Sequence, residues 1–343
     1  MINIVSQSVL RRTASGPGKV VKNLIKGLDL IGYPYVINKR LDACERLWVH
    51  DDMVALSQIN NVPPHIKVLV GPNLVVAPQQ LPASVNLSRA VYIHPSQWAK
   101  EFWEDLGFTQ CPIAVWPTGV DTDRFIPTLG PKTHVLVYFK QRTQAELDIV
   151  LATLRSRALQ YTVITYPTYS ERVYRNTLKI ARYIVWLGCH ESQGIALQEA
   201  LATDVPMLVC DVGGTEYWPY READMTALTP EQISAYPNAT SAEFFDQTCG
   251  LKISSVDRLA DGLDYMESHI STYRPRDYVV NHLSLQRQAR AFVNLYETYF
   301  GLAYDAGLHE AMLSEGSWEG ARIKGRVRAV VKDVARQLIK IIR

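Results

Sequence analysis

The sequence predicts an α/β protein made of two similar units in tandem, each a parallel sheet covered by helices, with a cleft between them. Three observations predict it. Short β-rich runs alternate with helical patterns along the first third, a turn-rich stretch with three prolines from Pro117 to Pro131 breaks them off, and the alternation then restarts. The 343 residues suffice for two domains of roughly 150 residues each.

In the first unit, Ile2 to Val5, Tyr35 to Ile37, Arg46 to Val49, Val68 to Val70 and Ala90 to Ile93 read as strands. Between the first two, Val20 to Leu30 carries apolar residues at helical spacing and stops at Gly32. After the break, Val135 to Phe139 is a strand, Gln144 to Arg155 a helix, Tyr161 to Thr165 a strand and Ser170 to Ala181 a helix. Tyr183 to Leu187, Ile195 to Ala202 and Met207 to Cys210 continue as strand, helix and strand. Leu283 to Phe300 is one long helical pattern, long enough to cross back onto the first unit. The expected division is 1–128 completed by a helix at 283–302, then 129–282, then a tail at 303–343.

Composition narrows the class. A 47% hydrophobic fraction excludes disorder over most of the length, and no apolar run approaches the roughly 18 to 20 residues of a membrane span. The start lacks the basic lead and cleavage site of a secretory signal, and the five cysteines are widely spaced with no C-x-x-C pair. A reducing cytoplasm is the expected compartment. The net charge of +2 is uneven: residues 320–343 hold eight Lys or Arg and one acid, leaving −5 for the rest. In that tail Ile323, Val327, Val330, Val334, Leu338 and Ile341 recur at helical spacing, so a basic amphipathic helix is expected. It would lie on an anionic membrane surface, dock on the protein body or grip nucleic acid; the apolar stripe favours lipid and a place on the inner face of a membrane.

The stretch from Tyr183 to Trp218 carries the most chemistry. A strand delivers the chain to Glu191, Gly194 opens a helix, and Glu199 lies about one and a half turns inside it. Free amides at a helix N-terminus favour a phosphate, a glycine there permits close approach, and a carboxylate such as Glu199 can accept two ribose hydroxyls. Either glutamate taken alone reads as a solvated helix acid. The spacing from Glu191 to Glu199, followed by an apolar strand and Asp211-Val-Gly-Gly-Thr-Glu216, resembles the E-x7-E donor site of retaining GT-B glycosyltransferases, most closely glycosyltransferase family 4.

Further matches follow in the order that family shows. Gly16-Pro17-Gly18-Lys19-Val20 resembles its glycine-rich loop, which approaches the donor phosphates. Trp48-Val49-His50-Asp51 resembles the strand end whose histidine faces the transferred sugar, and Pro117 to Phe125 resembles the N-G-V-D-x-x-x-F linker. Two departures stand out: Phe139-Lys140-Gln141-Arg142-Thr143 replaces the usual arginine and later lysine, and Gln193 stands where an aromatic residue is usual. Asp121-Thr122-Asp123 matches a metal-binding D-x-D, but in the linker it reads as turn chemistry, and no protein-bound metal is expected.

The resemblance implies two Rossmann-like domains facing a central cleft, and transfer of a sugar with retention from a nucleoside diphosphate to a hydroxyl of a glycan or lipid-linked acceptor. It implies that Glu199 holds the ribose, that Lys140 and Arg142 neutralise the diphosphate, and that amides near Gly194 and Ile195 add hydrogen bonds, with Gly16 and Gly18 opposite. Glu191 and His50 would hold the sugar. No resident cofactor is implied. Three alternatives stay open: a sugar-nucleotide epimerase of this fold, a nucleic-acid-associated protein using the tail, and a non-catalytic binding module.

Overall fold

The computed structural model describes residues 1–10, 15–212 and 239–301 of the chain. Its first sheet holds β1 (Ile2–Val5), β2 (Tyr35–Ile37), β3 (Arg46–Val49), β4 (Lys67–Val70), β5 (Ala90–His94) and β6 (Ile113–Val115), all parallel, in the order β2-β1-β3-β4-β5-β6. The second holds β7 (His134–Lys140), β8 (Tyr161–Thr165), β9 (Ala181–Gly188), β10 (Met207–Cys210) and β11 (Gly250–Ile253), also parallel, in the order β11-β10-β9-β7-β8. Both orders reverse beside their first strand. Crevices open at the carboxyl ends of the strands flanking such a reversal, which are β1 and β3 in one sheet and β7 and β9 in the other.

Strand alternation builds four cores, one on each face of each sheet. Leu47 and Val49 join Val68, Val70 and Tyr92 on one face of the first sheet, while Trp48, Leu69, Val91 and Ile93 point to the other. In the second sheet Leu136, Tyr138, Ile184 and Trp186 face one way, and Val135, Val137, Tyr183 and Val185 the other. Sheets covered on both faces read as near-continuous apolar runs, the pattern of both sets of strands.

Helix α1 (Gly16–Leu30) starts a turn earlier than its apolar pattern. Ser15 caps it by accepting the Gly18 N–H, so Gly16-Pro17-Gly18 is the first helical turn and not a free loop. Helices α2 (Met53–Ser57), α3 (Gln97–Asp105), α4 (Gln144–Ser156), α5 (Glu171–Ile180), α6 (Ile195–Ala202), α7 (Leu259–His269), α8 (Pro275–Leu283) and α9 (Leu285–Phe300) follow. The helix expected from Leu283 to Phe300 therefore starts two residues later, at Leu285. Ser284 is extended, pairs with Val120 of the linker, and separates α8 from α9.

Helix α9 lies on the first domain. Phe292 packs on Trp48 and Trp116, and the Tyr296 hydroxyl donates to the Leu47 carbonyl at 2.8 Å. Its close approach to α1 depends on Gly27, where a Cβ would sit 2.6 Å from the Leu285 carbonyl oxygen. The linker is held as firmly. Arg276 of α8 donates to the carbonyls of Thr122, Phe125 and Ala202, and Asp121 pairs with Lys26 while accepting the Arg124 N–H. Asp121 thus serves the turn. Residues 213–216 of the expected donor-site loop and the tail helix at 320–343 lie outside the described residues.

Candidate functional site in the interdomain cleft

A cavity of about 280 Å³ opens between the domains at the carboxyl ends of both sheets. Strand β7 ends on Lys140 and β9 leads to Glu191, so the reversal of the second sheet places this cation and acid side by side. Lys140 Nζ lies 2.6 Å from Glu191 Oε1, and both line the cavity. Burial alone would lower the Lys140 ammonium, but the adjoining Glu191 holds it above its ordinary value. Tyr166 stands over the same ammonium, 4.7 Å from ring centre to nitrogen.

Helix α6 presents its N-terminus to the cavity. Gly194 adopts φ +76°, a left-handed conformation that other residues enter at a cost, and it offers no side chain to cap the helix. Ile195 and Ala196 of the first turn line the wall. Glu199, one turn on, is 3% exposed, and Lys19 of α1 covers it from the opposite domain with Nζ 2.5 Å from both carboxylate oxygens. Burial pushes Glu199 up to about 7 against the pull of Lys19.

A tyrosine wall closes the far side. Tyr138 stacks flat on Trp186 and shares a hydrogen bond with the Tyr169 hydroxyl at 2.9 Å, and the Tyr174 hydroxyl donates to the Ala196 carbonyl at 2.7 Å. Tyr138, Tyr166, Tyr169 and Tyr174 all line the cavity beside Glu171, which pairs with Arg124.

Of the predicted site residues, Gly16, Lys140, Glu191 and Ile195 line the cavity. Gly194 and Glu199 stand directly behind that wall. Gly18 is spent on the α1 cap. His50 is fully buried: Nε2 meets Asn73 Oδ1 at 2.9 Å and Nδ1 faces Ser6 and Asp51, so Asn73, not His50, reaches the cavity. Arg142 also turns away from the opening. Its guanidinium pairs with Glu146 and donates to the carbonyls of Gly188 and Cys210, tying together the ends of β9 and β10.

Gln193 is explained by the linker. Its Oε1 accepts the Thr118 N–H at 3.1 Å and its Nε2 donates to the Thr118 carbonyl at 2.8 Å, a two-point pairing with the backbone of one buried residue that an aromatic ring could not make. Sequence reading missed Lys19, Asn73 and Glu171. Lys19 was the detectable one, being the single cation in a glycine-rich helix start.

Two Rossmann-like parallel-sheet domains facing each other across a cleft make the GT-B fold. No family model and no curated protein matches the sequence. The fold does match solved structures. The chain is similar to sucrose-phosphate synthase from Thermosynechococcus elongatus, at 12% identity and TM-score 0.55, over 88% of this chain and 99% of that one. It is similar to the catalytic domain of starch synthase IV from Arabidopsis thaliana bound to ADP and acarbose, at 9% identity and TM-score 0.54, over 87% and 98%. The Anabaena protein HepE in complex with UDP and glucose matches at 10% identity and TM-score 0.52, over 87% and 99%.

Proposed function

We propose that the chain is a retaining glycosyltransferase that binds a nucleoside-diphosphate sugar in the cleft and passes the sugar to an acceptor hydroxyl. The observation that carries this reading is the pair of acid–lysine contacts, Glu199 with Lys19 and Glu191 with Lys140, gathered at the α6 N-terminus. Each lysine is interchangeable with part of a donor. Ribose hydroxyls replace Lys19 on Glu199, and sugar hydroxyls replace Lys140 on Glu191. The two freed ammonium groups then meet the diphosphate together with the amides of Ile195 and Ala196. The base stacks against the tyrosine wall. Charge on the leaving group is thereby met by protein groups, without a protein-bound metal.

In the transfer, the acceptor oxygen bonds to the anomeric carbon on the face from which the diphosphate departs. The bond from that carbon to the diphosphate oxygen breaks, and the acceptor proton goes to a phosphate oxygen of the leaving group. Configuration is retained because both events share one face. Asn73, braced by His50, stands where it can hold a sugar or acceptor hydroxyl. For the tail at 320–343 we propose attachment to an anionic membrane surface, which would bring the enzyme to a lipid-linked acceptor.

A thermal-shift screen of UDP, ADP and GDP tests the donor site. A ligand at 100 times its Kd stabilises by about 2.7 kcal/mol, which moves the melting point by several degrees. One nucleoside diphosphate should do so; no shift with any of them at millimolar concentration contradicts the reading.

A further inference from the structure

A second cavity of about 240 Å³ adjoins the first, sharing Pro72, Asn73, Pro95 and Ser192 as a common wall. Apart from Ser192, its lining comes from the first domain. Leu74, Val75, Val76, Trp98, Phe102 and Trp103 are among its lining residues, which are mostly apolar. Both indole N–H groups are already used: Trp98 donates to the Glu191 carbonyl at 3.1 Å and Trp103 to the Val76 carbonyl at 2.9 Å. The tryptophans therefore offer a ligand ring surface and not donors.

The described lining contains no Lys, Arg, Asp or Glu. Its polar side chains are Ser192, the Asn73 carboxamide and His94, a 5%-exposed imidazole whose Nε2 has no partner among the described residues. A hexose acceptor would bring several hydroxyls into this space, each needing a partner or water, and an anionic acceptor would bring a charge that no cation there meets. An apolar body with one hydroxyl has neither difficulty. The shared wall puts that hydroxyl at Asn73, beside the donor.

We propose that this second cavity is the acceptor subsite and takes an uncharged hydrophobic alcohol or phenol. Its single reacting hydroxyl is held at Asn73, and its ring- or isoprenoid-sized body is packed on Trp98, Phe102 and Trp103. This inference rests on the donor reading of the neighbouring cavity for its catalytic meaning. The transfer step keeps the balance given above.

Calorimetry on the full chain tests it with three probes: 2-naphthol, methyl glucoside and phenyl phosphate. We expect 2-naphthol to bind one to one and at least tenfold more tightly than the other two. Ala99→Phe fills the cavity and should abolish at least nine-tenths of that affinity. Val75→Lys, at a half-buried and more tolerant position, should do the same by adding a charge. Nucleoside-diphosphate affinity should stay within twofold in both variants. Equal or tighter binding of methyl glucoside or phenyl phosphate overturns the proposal, as does 2-naphthol affinity unmoved by both substitutions. If the 2-naphthol pattern holds and no nucleoside diphosphate binds, the chemistry of this cavity stands and the donor reading falls.

Discussion

Lys19 and Glu199 meet across the cleft, the ammonium of one domain bridging both carboxylate oxygens of the other at 2.5 Å although 180 residues separate them. The contact satisfies a buried acid and occupies the place proposed for the ribose. Nucleotide binding must therefore open this pair, and Lys19 then has a new anion to meet in the diphosphate.

Lys19→Met separates those two roles. Without the lysine, the diphosphate loses one charge-assisted contact, while the ribose no longer has to displace a cation. Affinity for the nucleoside diphosphate should fall about tenfold, whereas affinity for the corresponding nucleoside should hold or improve. Calorimetric titration of both ligands checks this. An equal loss for both would place Lys19 in a purely structural role.

Glu199→Ala removes the acceptor of the ribose hydroxyls. Hydrogen bonds to a charged group contribute about 1.5 to 3 kcal/mol, so nucleoside-diphosphate affinity should drop about 10 to 100-fold. An unchanged Kd would remove Glu199 from the donor site.

Glu199 also predicts a pH dependence. Burial pushes its carboxyl up to about 7, above its ordinary 4.5, so between these values the folded protein holds a proton there that the unfolded chain has lost. This contribution to stability is fully present below pH 4.5 and is lost as the pH rises through about 7. A ribose donating two hydroxyls selects the carboxylate. Below pH 7 nucleotide binding should release a proton, and affinity should rise with pH and level off above about 7. Titrations at pH 6 with the nucleoside, which has no phosphate proton to lose, in two buffers of different ionisation enthalpy measure the release from Glu199, which Glu199→Gln should abolish.

Gly27→Ala tests the seat of α9. Helix propensity alone favours alanine by up to about 1 kcal/mol, but the new Cβ would meet the Leu285 carbonyl oxygen at 2.6 Å and crowd Ala289. Overpacking of this kind costs about 1 to 3 kcal/mol. Urea denaturation should show net destabilisation; a more stable variant would mean that α9 does not press on α1 there.

For the tail, a chain ending at Trp318 should stay folded and no longer sediment with vesicles containing anionic lipid, while the full chain does. Equal sedimentation of both would dispose of the membrane attachment.

Much of this arrangement is legible in the residues. The strands before Lys140 and Glu191 are short apolar runs, and the left-handed cap needed at the start of α6 calls for a glycine at 194. What escapes reading is pairing over long separations. Nothing local announces that Lys19 covers Glu199, or that Gln193 holds a peptide of the linker. His50 misleads for a related reason: its position at a strand end is visible, but that Asn73 screens it from the cavity depends on a contact 23 residues away. Arg142 likewise sits in the expected place yet spends its guanidinium on Glu146 and two strand-end carbonyls. Helix α3 goes unread between strands, although Ser96 caps it and Trp98, Phe102 and Trp103 share its buried face.

The most direct measurement is a crystal structure of the chain with the nucleoside diphosphate that stabilises it. The distal phosphate should lie against the amides of Ile195 and Ala196, both ribose hydroxyls on Glu199, and Lys19 should be displaced from that carboxylate onto the diphosphate. A nucleotide bound elsewhere, or bound in the cleft with the Lys19–Glu199 pair intact, would contradict it.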